Sequence, residues 1–159
     1  MLVLREIWSG YLSIIWQLPQ VVCGILIARH IRYDIDDVIL YRGKTIVLHR
    51  GRLLMSLGEV IFVPSWFDNR KSRDHEYGHS MQSEWLGPFY LIVYLLSVGA
   101  YRFDAIFHRN WSALRRLRWY YSLPWEIWAD FVGGVRRHHR RVIEKRRASL
   151  SSEVSVVSF

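Results

Sequence analysis

The residues best suited to chemistry lie just past the middle of the chain, in the run His75-Glu76-Tyr77-Gly78-His79. On a helix, residues four apart share a face about one turn apart. His75 and His79 therefore point the same way, close enough to share one cation. Glu76 is rotated by about 100° from His75 at about 3.6 residues per turn, so its carboxylate reaches a water beside the cation without taking a ligand position. Two neutral imidazoles with a carboxylate so placed suit zinc and a general base acting on water. The pattern arises in about 1% of shuffles of this composition. The competing reading is a surface helix with two idle histidines.

A catalytic zinc needs a third protein ligand. Downstream, in "PWEIWADFVGGV", Glu126 and Asp130 are four apart near the start of a second helix, again on one face. Glu126 is the candidate ligand. Asp130 is placed to hydrogen-bond the far nitrogen of a ligating histidine, which fixes its tautomer and raises its basicity. Gly78 lies inside the first helix, where glycine costs about 1 kcal/mol relative to alanine. Gly133 falls on the Glu126 side of the second. Both make room for a close helix crossing, although Gly133-Gly134 also suits a helix end. Gln82 shares the His75/His79 face, either lining a substrate site or closing a buried polar network.

Positioning these groups requires a framework, and the sequence offers one. Residues 8–28 carry no formal charge and match one bilayer crossing in length. Gln17, Pro19 and Gln20 interrupt them, so beside a span stand two other readings, a helix kinked at Pro19 and lying partly in the interface, and a buried core helix. "VILYRGKTIVL" reads as two strands about a turn at Arg42-Gly43, and "GEVIFVP" as a third. The histidine helix is expected over residues 73–86, capped by Ser72 and stopped by Gly87-Pro88. "PFYLIVYLLSVGAY" is apolar all round but short for a span, so a core or half-embedded helix is expected. Residues 102–121 read as loop and short helix. The last helix is expected to run from residues 123–124 into the basic tail.

The net charge of +8 over 159 residues is concentrated in that tail. Residues 136–147 hold seven basic side chains against Glu144, a net +6, which points to an anionic partner such as lipid headgroups or, with less support, nucleic acid, or equally to a solvated helix end. If residues 8–28 span, the positive charge on their C-terminal side puts the rest of the chain in the cytoplasm. One cysteine, Cys23, excludes an intrachain disulfide.

"HEYGH" followed by "EIWAD" resembles the gluzincin branch of zinc metallopeptidases, whose pattern is HExxH plus ExxxD. The wider text, "WQLPQ", "HEYGHSMQSEWLGPFYLIV" and "EIWADFVGGV", is similar to a group of small bacterial zincin-like proteins with an apolar N-terminal helix. The gluzincin motifs cover only residues 75–79 and 126–130. The resemblance implies His75, His79 and Glu126 as zinc ligands, Glu76 as general base and Asp130 as partner of the first histidine. It also implies a peptide or protein substrate, with residues 58–64 as an edge strand for it to pair with; an interior strand is the competing reading. Gluzincins add a His or Tyr that stabilises the tetrahedral intermediate, for which Tyr120, Tyr121, His108 and His138 are candidates. The expected architecture is an α+β, minimal zincin-like fold. It comprises an apolar N-terminal helix (residues 1–34), a metallopeptidase unit with a small antiparallel sheet (35–137) and a basic tail (138–159). The expected function is a membrane-associated zinc metallopeptidase on the cytoplasmic side. The alternative is a membrane-anchored module that binds anionic lipid or nucleic acid through its tail, with a structural or inactive histidine site.

Overall fold

The β-branched runs flanking Arg42-Gly43 fold back on each other because both turn residues take positive φ, 50° and 82°, as a tight two-residue hairpin requires. They form β1 (Ile35–Tyr41) and β2 (Lys44–His49) of the computed structural model, which describes Leu12 and residues 15–136. A second tight turn at Gly58, with φ 61°, joins β3 (Met55–Leu57) to β4 (Val60–Pro64).

The strand order is β1-β2-β4-β3. The two hairpins are antiparallel, but β2 and β4 are parallel, so the α+β fold carries a mixed sheet and not the antiparallel one expected. The chain passes through β3 first and returns as β4 beside β2, running the same way. β3 is only three residues long, too short to leave an alternation pattern. Its presence also corrects the expected edge strand: residues 58–64 run through the sheet interior, and β3 takes the edge.

Both central strands are covered on each face. Ile46, Ile61 and Val63 pack with Ile39, Leu54 and Tyr77. Val47, Met55, Leu57 and Phe62 pack with Ile27, Ile31 and Tyr94. Burial on two sides explains why these strands read as near-continuous apolar runs.

Helix α1 (Leu18–His30) has Pro19 in its first turn, where a missing N–H costs nothing. The proline opens this helix, and Ile15 and Trp16 before the turn at Gln17 are helical too, so the helical segment is interrupted beside Pro19, where a kink was expected. Gln17 and Gln20, the polar interruptions of the segment, are fully buried. Gln17 donates to Glu59 over 3.3 Å and Gln20 to the Gly87 carbonyl. Part of the expected crossing, residues 8–11 and 13–14, lies outside the described residues.

Helix α2 (Arg70–Leu86) starts three residues earlier than expected because Asn69, and not Ser72, is its cap. Asn69 Oδ1 accepts from the Lys71 and Ser72 amides, and the Ser72 hydroxyl accepts from the Asn69 amide at 3.1 Å. This reciprocal box satisfies donors that a helix start otherwise leaves unpaired. A turn at Gly87–Phe89 leads into α3 (Tyr90–Phe107).

The expected core role of α3 is not observed: only Tyr90 and Asp104 in it are buried. One stripe of α3 faces the protein, and its apolar side chains face outward. The helical stretch Arg70–Phe107 is the only one among the described residues long and apolar enough to cross a bilayer by length and composition. Helix α4 (Ala113–Tyr120) is capped by Ser112. Helix α5 (Pro124–Gly133) ends at Gly134, a left-handed residue with φ 77°. It therefore does not run on into the basic segment, and residues 137–159 of that segment lie outside the described residues.

The tightest approach in the fold is α2 against α5. A Cβ on Gly78 would overlap the Ala129 carbonyl, and one on Gly133 the Asp74 carbonyl. Backbone cannot retreat as a side-chain end can. Gly78→Ala and Gly133→Ala should each destabilise the protein by about 2 kcal/mol in chemical denaturation. Gly99→Ala, inside α3 with open space around it, should be neutral or stabilising by up to about 1 kcal/mol.

Candidate metal centre

Close packing of α2 and α5 brings three buried donors together. His75 Nε2 lies 3.1 Å from Glu126 Oε2, and His79 Nε2 lies 3.3 Å from the same oxygen. All three donor atoms fall within 4.8 Å of one another. The imidazoles meet edge to face, with centroids 4.8 Å apart, and both Nε2 atoms lie near the one carboxylate oxygen.

The opposite nitrogens are held. His75 Nδ1 is 2.7 Å from Asp130 Oδ1, the pairing expected from the spacing. His79 Nδ1 is 2.8 Å from Gln82 Oε1, and Gln82 donates from Nε2 to the Trp125 carbonyl at 2.9 Å. Gln82 thus closes a buried polar network and does not line the cavity. With both Nδ1 atoms committed to acceptors, both Nε2 atoms are directed at Glu126, the arrangement that fixes ligand tautomers. Two imidazole nitrogens and one carboxylate oxygen form the donor set of catalytic zinc sites, and the residues fit that ion.

Two serines that sequence reasoning missed complete the centre. Ser56 donates to the Glu76 carboxylate at 2.8 Å and lies 2.7 Å from the Glu76 carbonyl. Ser97 donates to Glu126 Oε1 at 3.1 Å. Neither lies in a motif. Ser56 comes from edge strand β3 and Ser97 from α3, so only tertiary contact reveals them.

Electrostatics follow from burial. Desolvation alone would pull the His75 pKa down. Hydrogen bonds to Asp130 and Glu126, with the charges of Glu76 and Glu126, outweigh it and push the pKa up to about 9 from an ordinary 6.5. Burial would raise Glu126, but hydrogen bonds from His75 and His79 and their charges hold it well below the usual carboxylate range. Without a cation, a proton on His75 offsets the Glu126 charge.

The centre opens into a cavity of about 580 Å³ lined by Glu76, Tyr90, Tyr94, Tyr120, Tyr121 and Leu53, among others. Of the four candidates for an oxyanion-stabilising group, Tyr120 and Tyr121 line it. Tyr120 has its pKa raised by burial, by the Glu126 charge and by a hydrogen bond to that carboxylate, so it keeps its proton. Tyr121 packs edge-on against His75 at 5.2 Å. His108 sits on Asp104 at 3.1 Å and stacks on Trp111, outside the cavity lining. His138 lies outside the described residues. No family model, curated protein or solved structure matches the chain, so the gluzincin likeness rests on the motif residues.

Two outcomes follow from this geometry. Asp130→Asn should weaken metal affinity by about 10- to 100-fold in a competition titration with a chromogenic chelator. In metal-stripped protein, the His75 contribution to stability should be fully present below the unfolded value near 6.5 and be lost as pH rises through about 9, because the folded state binds the proton more tightly. Denaturation midpoints across that range, with His75→Gln as the control lacking the trend, measure it.

Proposed function

We propose that this chain is a zinc-dependent hydrolase, a membrane-associated metallopeptidase of gluzincin type. The observation that carries the reading is the convergence of two histidine Nε2 atoms on one buried carboxylate, with both Nδ1 atoms restrained from behind. His75, His79 and Glu126 would hold the ion, and Glu76 stands beside them on the cavity wall. Zinc in such a donor set polarises a carbonyl and lowers the pKa of water.

The remaining steps belong to the chain's own groups. Ser56 orients the Glu76 carboxylate, which receives a proton from water and passes it to the departing amine. Tyr120, which stays protonated, is the donor for negative charge developing on the substrate oxygen. Tyrosine rings and Leu53, Leu54 and Met55 exclude bulk water from the cavity. Peptide or protein is the substrate class this reading assigns. Residues 8–28 provide the membrane association, with the hydrolytic unit on the cytoplasmic side.

Purified protein should carry about one zinc per chain by elemental analysis. Glu76→Gln should keep that zinc and lose about 10²-fold or more of the hydrolysis of an unfolded protein substrate. A folded chain that takes up no zinc when supplied with it would overturn the reading. A zinc-loaded wild type as inert as Glu76→Gln would leave a metal site without catalysis.

A further inference from the structure

Helix α3 is amphipathic in the opposite sense to a core-packed helix. Tyr90, Tyr94, Ser97, Tyr101 and Asp104, at alternating spacings of four and three, line the cavity. The outer face carries Ile92, Leu95, Leu96, Phe103, Ile106 and Phe107, all exposed, with Leu95 at 65% and Phe107 at 66%. A face of this size exposes far more contiguous apolar surface than scattered single residues would. Helix α4 extends it with exposed Leu114 and Leu117.

Charge identifies what covers this face. Arg102, Arg109, Arg115 and Arg118 are exposed around the C-terminal end of α3 and along α4. Asp104, the only acid in residues 102–121, is buried and bound to Arg116 at 2.7 Å. The surface charge here is therefore of one sign. Arg115 lies 3.9 Å over the Trp111 ring, and Trp119 is edge-on to His108 at 4.7 Å. Tryptophan and arginine beside an apolar run are the side chains that populate a membrane–water boundary. The uncharged run before Arg102, residues 85–101, measures about 25 Å at about 1.5 Å per residue, is broken by the turn at Gly87–Phe89 and falls short of the roughly 30 Å hydrocarbon core. Its inner stripe is committed to the cavity. The helix thus suits lying in the interface, with one side in lipid.

We propose that the outer face of α3, together with α4, docks the protein on an anionic bilayer, and that the metal-centre cavity opens at that face. Val98, Tyr101 and Leu117 line the cavity and are also exposed, so its mouth lies within the docking surface. Substrate reaches the centre from the membrane boundary. The docking itself stands apart from the zinc reading and from residues 8–28, and the substrate route rests on both.

The test uses full-length protein and vesicles of phosphatidylcholine with phosphatidylserine, compared with phosphatidylcholine alone. In a Cys23→Ser background, an environment-sensitive fluorophore on Leu95→Cys should shift to the blue on adding anionic vesicles, whereas one on Val38→Cys, in the other edge strand, should not. Ile92→Glu with Leu95→Glu should lower vesicle affinity about tenfold or more on both lipids. Arg115→Gln with Arg118→Gln should lower it about tenfold on the anionic vesicles alone. Unchanged binding in both double variants, with no shift at position 95, would overturn the proposal. So would a stable dimer in lipid-free solution that Ile92→Glu with Leu95→Glu dissociates, since a second copy would then own the face. Zinc content measured without vesicles, and vesicle binding measured on metal-stripped protein, let the two readings fail separately.

Discussion

The centre depends on how closely two helices can approach. At Gly78 and Gly133 the neighbouring helix's backbone carbonyl occupies the space of a side chain. Glu126 and Asp130 project from the same face of α5, and that proximity lets one reach both Nε2 atoms and the other reach a Nδ1. Any Cβ at the crossing would hold the helices apart. Glycine inside a helix costs about 1 kcal/mol, and at these two positions it permits the approach.

A second constraint is the charge carried inside. Glu126 is fully buried, and an unpaired carboxylate there would be costly. His75, His79 and Ser97 all turn toward it, so its lone pairs are accounted for. Inward side chains of α2 are polar too, and several of them are bonded to other elements. Ser80 donates to the Gly58 carbonyl at 2.7 Å, Gln82 bridges to α5, and Asp74 accepts from Tyr41 at 2.7 Å. α2 is thus fixed by directional bonds to the sheet and to α5 more than by apolar packing. Such bonds place a donor more narrowly than hydrophobic contact, which is non-directional.

The sheet supplies the rigid backing. β2 and β4, buried on both faces, hold β3 at the edge, and β3 presents Ser56 to Glu76. α3 closes the other side with a tyrosine-rich stripe and leaves its apolar residues outside. Of the two placements its composition allowed, core or half-embedded, the core one is not observed. An apolar helix of that length reads as core because hydrophobicity records what avoids water, not where the avoidance is satisfied. Protein interior and lipid give the same signal.

The sequence by itself determined the local chemistry. The i, i+4 spacings put His75 with His79 and Glu126 with Asp130, the Arg42-Gly43 turn set the first hairpin, and the α+β class followed from the order of patterns. These features are short-range and depend on backbone geometry that any helix or tight turn shares. Only tertiary structure decided that Glu126 meets the histidines, that Ser56 and Ser97 hold the carboxylates, that Gln82 braces His79, and that β4 is interior. Each of those joins residues from different elements, and no periodicity records a contact across space. Asn69 in place of Ser72 as the cap shows the same boundary at small scale. The residue types were legible, but which neighbour each one serves was fixed by packing.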